Sequence, residues 1–362
     1  MQIYLSHHAF SSQVYGGVSR YFVELANYYA EHRVPTQIVS PIYINQYLQE
    51  SRNALRRGIF VRKRAKTGWL IHGINQMVSP LLMKNERAIY HETYYDQFRG
   101  AKSAHLKVAT VYDCIHDLFP HYFSPTDPSY LNKRATLAKA DHVFCISEST
   151  RRDLLKFYPI PAQKISVVPL AVKAPLAQGS TRPRPEPYFL FVGTRARYKN
   201  AEALFRAFAG SKAANGSGHL VFFGGGAFTE SERLLAQELG IADRLSQRGG
   251  SDEDLYRYYR HAEAFIFPSE YEGFGLPTLE AMSVGCPVIC SNTSSFPEVA
   301  GEAALFHDPK SVEGLRGHLD RLFENREERE LWGQAGLLQN AKFSWEQTAR
   351  QTLEVYERVF SA

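Results

Sequence analysis

The sequence has little of what would place it in several large functional classes. Its four cysteines, Cys114, Cys145, Cys286 and Cys290, form no CxxC pair and have no histidine cluster beside them. That excludes a disulfide framework and a cysteine-based zinc site, and reads as buried thiols in a reducing compartment. No apolar run approaches the roughly 20 residues that a membrane span needs. The opening MQIYLSHHAF has no charged segment leading into an apolar one, so a secretory signal is not expected and the reading is cytoplasmic. There is no GxSxG, no P-loop and no HExxH. No clustered set of metal ligands is visible along the chain, and no internal repeat at fixed period.

What is present suits a globular protein with two cores. The chain has 362 residues, 44% of them hydrophobic and 13% aromatic, which is long for a single domain. The net charge of +5 is unevenly spread: residues 1–170 carry 21 Lys and Arg against 12 Asp and Glu, and the remainder 21 against 25. Much of the basic excess lies in Arg52 to Lys66, where seven cations surround Ile59, Phe60 and Val61. Such a stretch docks on anionic lipid head groups or forms a solvated face. No recognition motif accompanies it, so nucleic acid is not an expected partner.

Short apolar runs alternate with helical patterns, the mark of a parallel sheet wrapped by helices. Strands are expected at 2–6, 37–42, 88–91, 107–112, 142–146 and 165–168. A helix from about Val18 to Glu31 shows apolar residues at helical spacing. Residues 171–187, with four prolines, read as a linker after a first domain at 1–170. The alternation restarts with strands at 188–192, 219–223, 244–248, 264–267, 287–291 and 304–307, in a second domain at 188–344. A last helix begins at Trp345. The fold class expected is α/β, with two doubly wound parallel-sheet domains facing across a cleft. In such sheets ligands bind beyond the C-terminal ends of strands.

The stretch PSEYEGFGLPTLEAM, Pro268 to Met282, follows one such strand. Gly273 and Gly275 allow close approach of a ligand to the backbone, and Pro277 suits the first turn of a helix. Strand, glycine turn and helix start together make an anion site, bracketed by Glu272 and Glu280. A sugar nucleotide has that layout; an ordinary turn with two solvated glutamates has it too. Gly193 to Asn200 follows the first strand of the second domain and brings Arg195 and Lys199, two cations suited to a diphosphate. Gly16-Gly17 and Gly224-Gly225-Gly226 are weaker signals of the same kind. His91-Glu92-Thr93 and Tyr112 to Asp117 follow strands of the first domain and supply acids, a phenol and imidazoles toward the cleft.

With these stretches the chain resembles the GT-B glycosyltransferases of family 4, a group of retaining enzymes. The resemblance runs through GGVSRYFVELA at 16–26, HETYY at 91–95, ATVYDCIHDLFP at 109–120 and FCISESTRRDLLKFY at 144–158. It continues in FVGTRARYKN at 191–200 and the long segment from Phe267 to Pro309. The resemblance implies that Glu272 contacts the donor sugar, with backbone amides of Gly273, Phe274, Gly275 and Leu276 at the sugar and β-phosphate. It implies that Glu280 holds the ribose, that Arg195 and Lys199 neutralise the diphosphate, and that Gly16 and Gly17 close on it. Gly249, Gly250 and Ser251 would meet the base, and the helix from Trp345 (345–362) would cross back to the first domain. The chain departs from the family where many members carry a histidine, here Tyr112, so Tyr112, Asp113 or His116 takes over that contact. Thr194 and Tyr198 stand where many members have the phosphate arginine. That leaves Arg195 or Arg197, and Arg195 is favoured.

The expected reaction is retaining transfer of a hexose from a nucleotide-diphosphate sugar, with neither cofactor nor metal. Mannose is favoured among donors that include rhamnose, glucose and N-acetylhexosamine. The expected acceptor is a glycan, lipid-linked and of O-antigen, capsule or exopolysaccharide type, with peripheral membrane contact through Arg52 to Lys66. The competing readings are a nucleotide-sugar 2-epimerase on the same architecture and a non-catalytic sugar-nucleotide-binding subunit.

Overall fold

The structure, a computed structural model, describes residues 1–64, 66–175 and 181–362. Ala65 in the basic stretch and residues 176–180 of the expected linker lie outside the described residues. The chain divides into two compact units, Met1–Leu170 with Trp345–Ala362, and Ala171–Ser344. No helix among the described residues is long and apolar enough to cross a membrane.

The first unit holds seven parallel strands: β1 (Ile3–Leu5), β2 (Thr36–Tyr43), β3 (Arg56–Phe60), β4 (Ile89–Glu92), β5 (Leu106–Val111), β6 (His142–Cys145) and β7 (Ile165–Val167). Their order across the sheet is β3-β2-β1-β4-β5-β6-β7, so the chain reverses its direction of growth between β1 and β4. Ile3 lies opposite Thr36 on one side and Ile89 on the other. Helices cover these strands on both faces, which is why β1, β4 and β6 are buried throughout. The helix Gly17–Glu31 buries Tyr21, Phe22, Leu25 and Tyr29, the face its spacing predicts.

Two elements of this unit escape the sequence pattern. Strand β3 reads RRGIF because it is the edge of the sheet, largely exposed, where charge is tolerated and blocks further pairing. The helix Gly68–Leu82 buries only Ile71, Asn75 and Ser79. Asn75 bonds both backbone groups of Ile42, accepting from its N–H at 2.7 Å and donating to its carbonyl at 2.8 Å. The outer side of this helix leaves Trp69, Met77 and Leu81 more than two-thirds exposed.

The terminal helix Trp345–Ser361 packs within the first unit. Tyr29 donates to the Ala349 carbonyl at 3.0 Å, and Thr348 to that of Pro169 at 2.8 Å. Tyr356 is fully buried and hydrogen-bonded to His91.

The second unit holds six parallel strands: β8 (Tyr188–Val192), β9 (His219–Phe223), β10 (Leu245–Arg248), β11 (Ala264–Phe267), β12 (Val288–Ser291) and β13 (Leu305–His307). The order is β10-β9-β8-β11-β12-β13, so here the reversal falls between β8 and β11. Phe189, Phe191, Leu204, Phe205, Phe222 and Ile266 form its core with side chains from the covering helices.

Burial gives the protein a defined pH response. It lowers His7 and His91 to about 3 and His8 and His142 to about 4, and raises Glu92 to about 8. The imidazoles titrate below their unfolded value of 6.5, so the stability they contribute is present above that pH and lost as pH falls toward 4. Glu92 acts oppositely: the unfolded chain releases its proton near 4.5 and the folded one keeps it to about 8, so stability declines across that interval. Four imidazoles outweigh one carboxyl, so the melting temperature should peak near neutrality, fall steeply on acidification and fall gently toward alkaline pH. Thermal melts across that range check this, and a melting temperature indifferent to acid would contradict it.

Candidate active site

The reversal between β8 and β11 separates two adjacent strand ends, and the loops leaving them are tied together. Asn200, in the left-handed conformation, donates to the carbonyls of Pro268 at 3.2 Å and Pro309 at 2.8 Å. The Glu270 N–H donates to the Tyr198 carbonyl at 2.8 Å. These bonds bring Lys199 beyond β8 to Glu272 beyond β11, with Nζ to Oε1 at 2.5 Å. Both side chains are about 15% exposed, at 16% and 14%. The alternative of a solvated glutamate in an ordinary turn therefore does not describe Glu272.

The turn itself is held from a third loop, after β12. The Glu272 N–H donates to Ser294 Oγ at 3.0 Å, Ser295 Oγ donates to the Glu272 carbonyl at 2.9 Å, and Thr293 Oγ1 to that of Glu270 at 2.9 Å. Gly275 has a φ of 85°, and a Cβ there would stand 3.3 Å from the Phe296 ring. The positive φ favours glycine, and the Phe296 ring would have to give by a few tenths of an ångström to admit a Cβ. The helix Leu276–Met282 begins directly after it. Phe274 is buried against Phe343, while Gly273 and Leu276 are half-buried at the opening of the turn. Glu280, one turn into the helix, accepts from the buried Tyr259 hydroxyl at 3.2 Å.

Arg195 stands apart from the Lys199–Glu272 pair. Its Nε donates to Glu232 at 2.7 Å and its Nη2 to the carbonyls of Gly226 and Ala227 at 3.1 and 2.8 Å. Nη1 is buried with no hydrogen-bond partner among the described residues. Arg197 is exposed. Gly249 and Gly250 follow β10, and Ser251 caps the helix Asp252–His261 through a reciprocal pair with Asp254.

In the first unit, Gly16 caps the helix Gly17–Glu31 in extended conformation. His91 and Glu92 do not follow a strand but lie within β4, fully buried, so they face the core and not a cleft. His91 bonds Thr110 at 2.8 Å, and Glu92 accepts from the Phe98 N–H at 2.6 Å and from Thr136 at 3.0 Å. Both are saturated structural groups. The Tyr112 hydroxyl donates to the Thr93 carbonyl at 2.7 Å, and burial lifts it well above the usual phenol range. Asp113 accepts from the Ile115 N–H at 3.1 Å, and His116 lies 3.8 Å from Asp127.

Comparison with known proteins decides the family. The model of Glycosyltransferase Family 4 matches residues 15–174 and that of Glycosyl transferases group 1 matches residues 172–339. O-antigen chain mannosyltransferase B of Escherichia coli is 30% identical over 269 residues, covering 69% of this chain and 70% of that protein. The chain belongs to the family 4, group 1 glycosyltransferases. The serotype-specific mannosyltransferase WbdA of Escherichia coli is 31% identical over 273 residues, 68% of this chain but only 33% of that longer protein. Among solved structures, sucrose-phosphate synthase from Thermosynechococcus elongatus superposes with a TM-score of 0.76 at 20% identity, with both chains covered in full. That likeness shows the GT-B fold.

Several residues that hold candidate site residues of this glycosyltransferase in place were not legible as such in the sequence. Glu232 holds Arg195 from 37 positions away. Thr293, Ser294 and Ser295 lie inside the segment that carries the family resemblance, and their run of hydroxyls was the available signal. Ser294 adopts a φ of 51°, a conformation held only where surrounding bonds enforce it.

Proposed function

We propose that this glycosyltransferase moves a hexose, mannose first, from a nucleoside-diphosphate sugar to a growing glycan with retention of configuration. The observation that carries the reading is the Lys199–Glu272 pair, 2.5 Å apart at the point where the second sheet reverses its order. Doubly wound sheets bind nucleotides at that point. There a carboxylate suited to sugar hydroxyls adjoins a compact cation suited to a diphosphate, as the two halves of a donor adjoin. Glu280 would take the ribose, and Gly249 to Ser251 the base. The names of the relatives, O-antigen chain and serotype-specific mannosyltransferases, support mannose as the sugar and an O-antigen chain as the acceptor; that this acceptor is lipid-linked is a further part of the proposal.

In this mechanism the acceptor oxygen forms its bond to the anomeric carbon from the face the diphosphate leaves. The bond from that carbon to the phosphate oxygen breaks, and the acceptor proton passes to the departing diphosphate. Lys199 stabilises the charge that develops on the leaving group. The deciding experiment is a thermal-shift and turnover panel of nucleotide sugars on wild type, Glu272→Ala and Lys199→Ala. GDP-mannose should raise the melting temperature of the wild type by mass action and be turned over by the variants about 10²-fold or more slowly than by the wild type. No response to any nucleotide sugar, or undiminished turnover in Glu272→Ala, would refute the assignment.

The basic stretch gains a companion in the fold. Arg62, Lys63, Arg64 and Lys66 are exposed, and directly after them the helix Gly68–Leu82 exposes Trp69, Leu70, Met77 and Leu81. Cations beside an outward apolar helix face suit an anionic bilayer surface, so the proposed acceptor would be met at a membrane. Sedimentation with phosphatidylglycerol vesicles should carry the wild type down, and Trp69→Ser/Met77→Ser should reduce the bound fraction. Equal recovery of both proteins in the supernatant would discard this surface.

A further inference from the structure

The first unit carries a cavity at the end of its sheet opposite the candidate residues. Strand β6 is entered from the helix Pro128–Leu137 and strand β7 from the helix Glu148–Phe157. Between these two entries the surface encloses about 350 Å³. Leu137 and Ala140, ahead of β6, and Ile160 and Pro161, ahead of β7, give it an apolar lining. Tyr112 and Asp113 follow the C-terminal end of β5, the end at which a doubly wound sheet places its ligands. A space at the N-terminal ends of β6 and β7 does not belong to that site. Its volume is at the low end for ligand sites, which run from roughly 300 to 1,000 Å³.

Arg134 and Lys164 line the same cavity, and no aspartate or glutamate does. Neither cation makes an ion pair with a carboxylate among the described residues. Asp117, the carboxylate that Tyr158 reaches, is already taken by Lys133 at 2.5 Å. The Arg134 guanidinium lies over the Tyr130 and Tyr158 rings, 5.7 Å from each centroid, and its Nη1 donates to the Tyr130 hydroxyl at 3.2 Å. A guanidinium laid on aromatic faces keeps its remaining N–H groups in its own plane, where a phosphate accepts them in pairs. The wall is set in advance as well. Tyr158 is buried, and its hydroxyl donates to the two oxygens of Asp117 at 2.9 and 3.1 Å. A wall that is already ordered spares a ligand the entropy of ordering it.

We propose that this cavity binds an alkyl phosphomonoester, its phosphate on Arg134 and Lys164 and its chain against Leu137, Ala140, Ile160 and Pro161. A phosphomonoester carries a charge of about −1.5 to −2 near neutrality, which matches two cations that have no acid beside them. A carboxylate would leave one of the two unmatched. Inorganic phosphate would leave the apolar lining in water, without the gain that covering it brings. The site is independent of the donor reading and stands or falls without it.

The test titrates the full chain with hexyl phosphate by calorimetry. Wild type should bind about one equivalent, and each methylene added from butyl to hexyl phosphate should tighten binding by up to about 4-fold. Inorganic phosphate, 1-hexanol and hexanoate should each bind about 10-fold or more weakly than hexyl phosphate. Arg134→Gln/Lys164→Gln should weaken hexyl phosphate by about 10-fold or more. Both side chains are exposed, so the fold tolerates their replacement, and a thermal melt verifies this. Lys139→Gln, at an exposed cation that does not line the cavity, should bind as wild type does, and so should Lys199→Ala. Absence of binding by the wild type overturns the proposal, as does a double variant with unchanged affinity. Binding lost in Lys199→Ala would move the ligand to the donor site, and hexanoate bound as tightly as hexyl phosphate would refute the choice of phosphate.

Discussion

Lys199→Ala is expected to lower the transfer rate by about 10²–10³-fold while the protein stays folded. In the proposed mechanism the charge on the departing diphosphate grows as its bond to the sugar breaks, so a cation beside it would stabilise the transition state more than the bound donor. The loss should therefore appear mainly in kcat, with a smaller change in KM. Lys199 projects from a loop and is not part of the core, so its removal leaves the sheet untouched. It does leave Glu272 without its 2.5 Å partner. Lys199→Arg is not expected to restore the rate, because a planar fork does not occupy the place of a compact ammonium. Steady-state kinetics with a thermal melt on each variant separates the outcomes. A folded Lys199→Ala protein with near wild-type kcat would remove Lys199 from the mechanism.

Asp117→Leu is expected to destabilise the first unit by about 3–5 kcal/mol. Asp117 Oδ2 meets Lys133 Nζ at 2.5 Å, and both side chains are only 3% exposed. The Tyr158 hydroxyl donates to the same carboxylate, at 2.9 and 3.1 Å to its two oxygens. Without the carboxylate, a buried ammonium and a buried phenol lose their partner together. The double variant Asp117→Leu/Lys133→Met should lose less than the single one, since no charge is then left unpaired. The pair also anchors candidate residues: Lys133 reaches the Asp113 carbonyl at 3.4 Å, and Asp117 shares the short helix Ile115–Leu118 with His116. Urea melts of Asp117→Leu, Lys133→Met and the double variant give the coupling, and an Asp117→Leu protein as stable as wild type would show that the pair holds nothing.

Much of the fold was legible because its signals are local. The apolar runs at 188–192, 219–223 and 264–267 are strands because helices bury both their faces, and the linker prolines mark the point where one alternation ends. Strand β3 was illegible because an exposed edge needs no apolar pattern, and the helix Gly68–Leu82 because much of its apolar surface points outward. His91 shows the same limit in the site. Its place in HETYY suggested a residue beyond a strand end, but one position decides between the core and a ligand, and pattern does not resolve one position.

By itself, the sequence determined the parallel α/β class, the family, and the glycine turn at Gly273 to Gly275, since periodicity and turn chemistry are properties of neighbouring residues. Only the tertiary structure decided which of the named groups meet. Lys199 and Glu272 are 73 positions apart and touch because β8 and β11 are adjacent in the sheet. Arg195 was read beside Lys199 and is held instead by Glu232 and the loop after β9. Such meetings depend on strand order, and strand order is set by long-range packing that no local window contains.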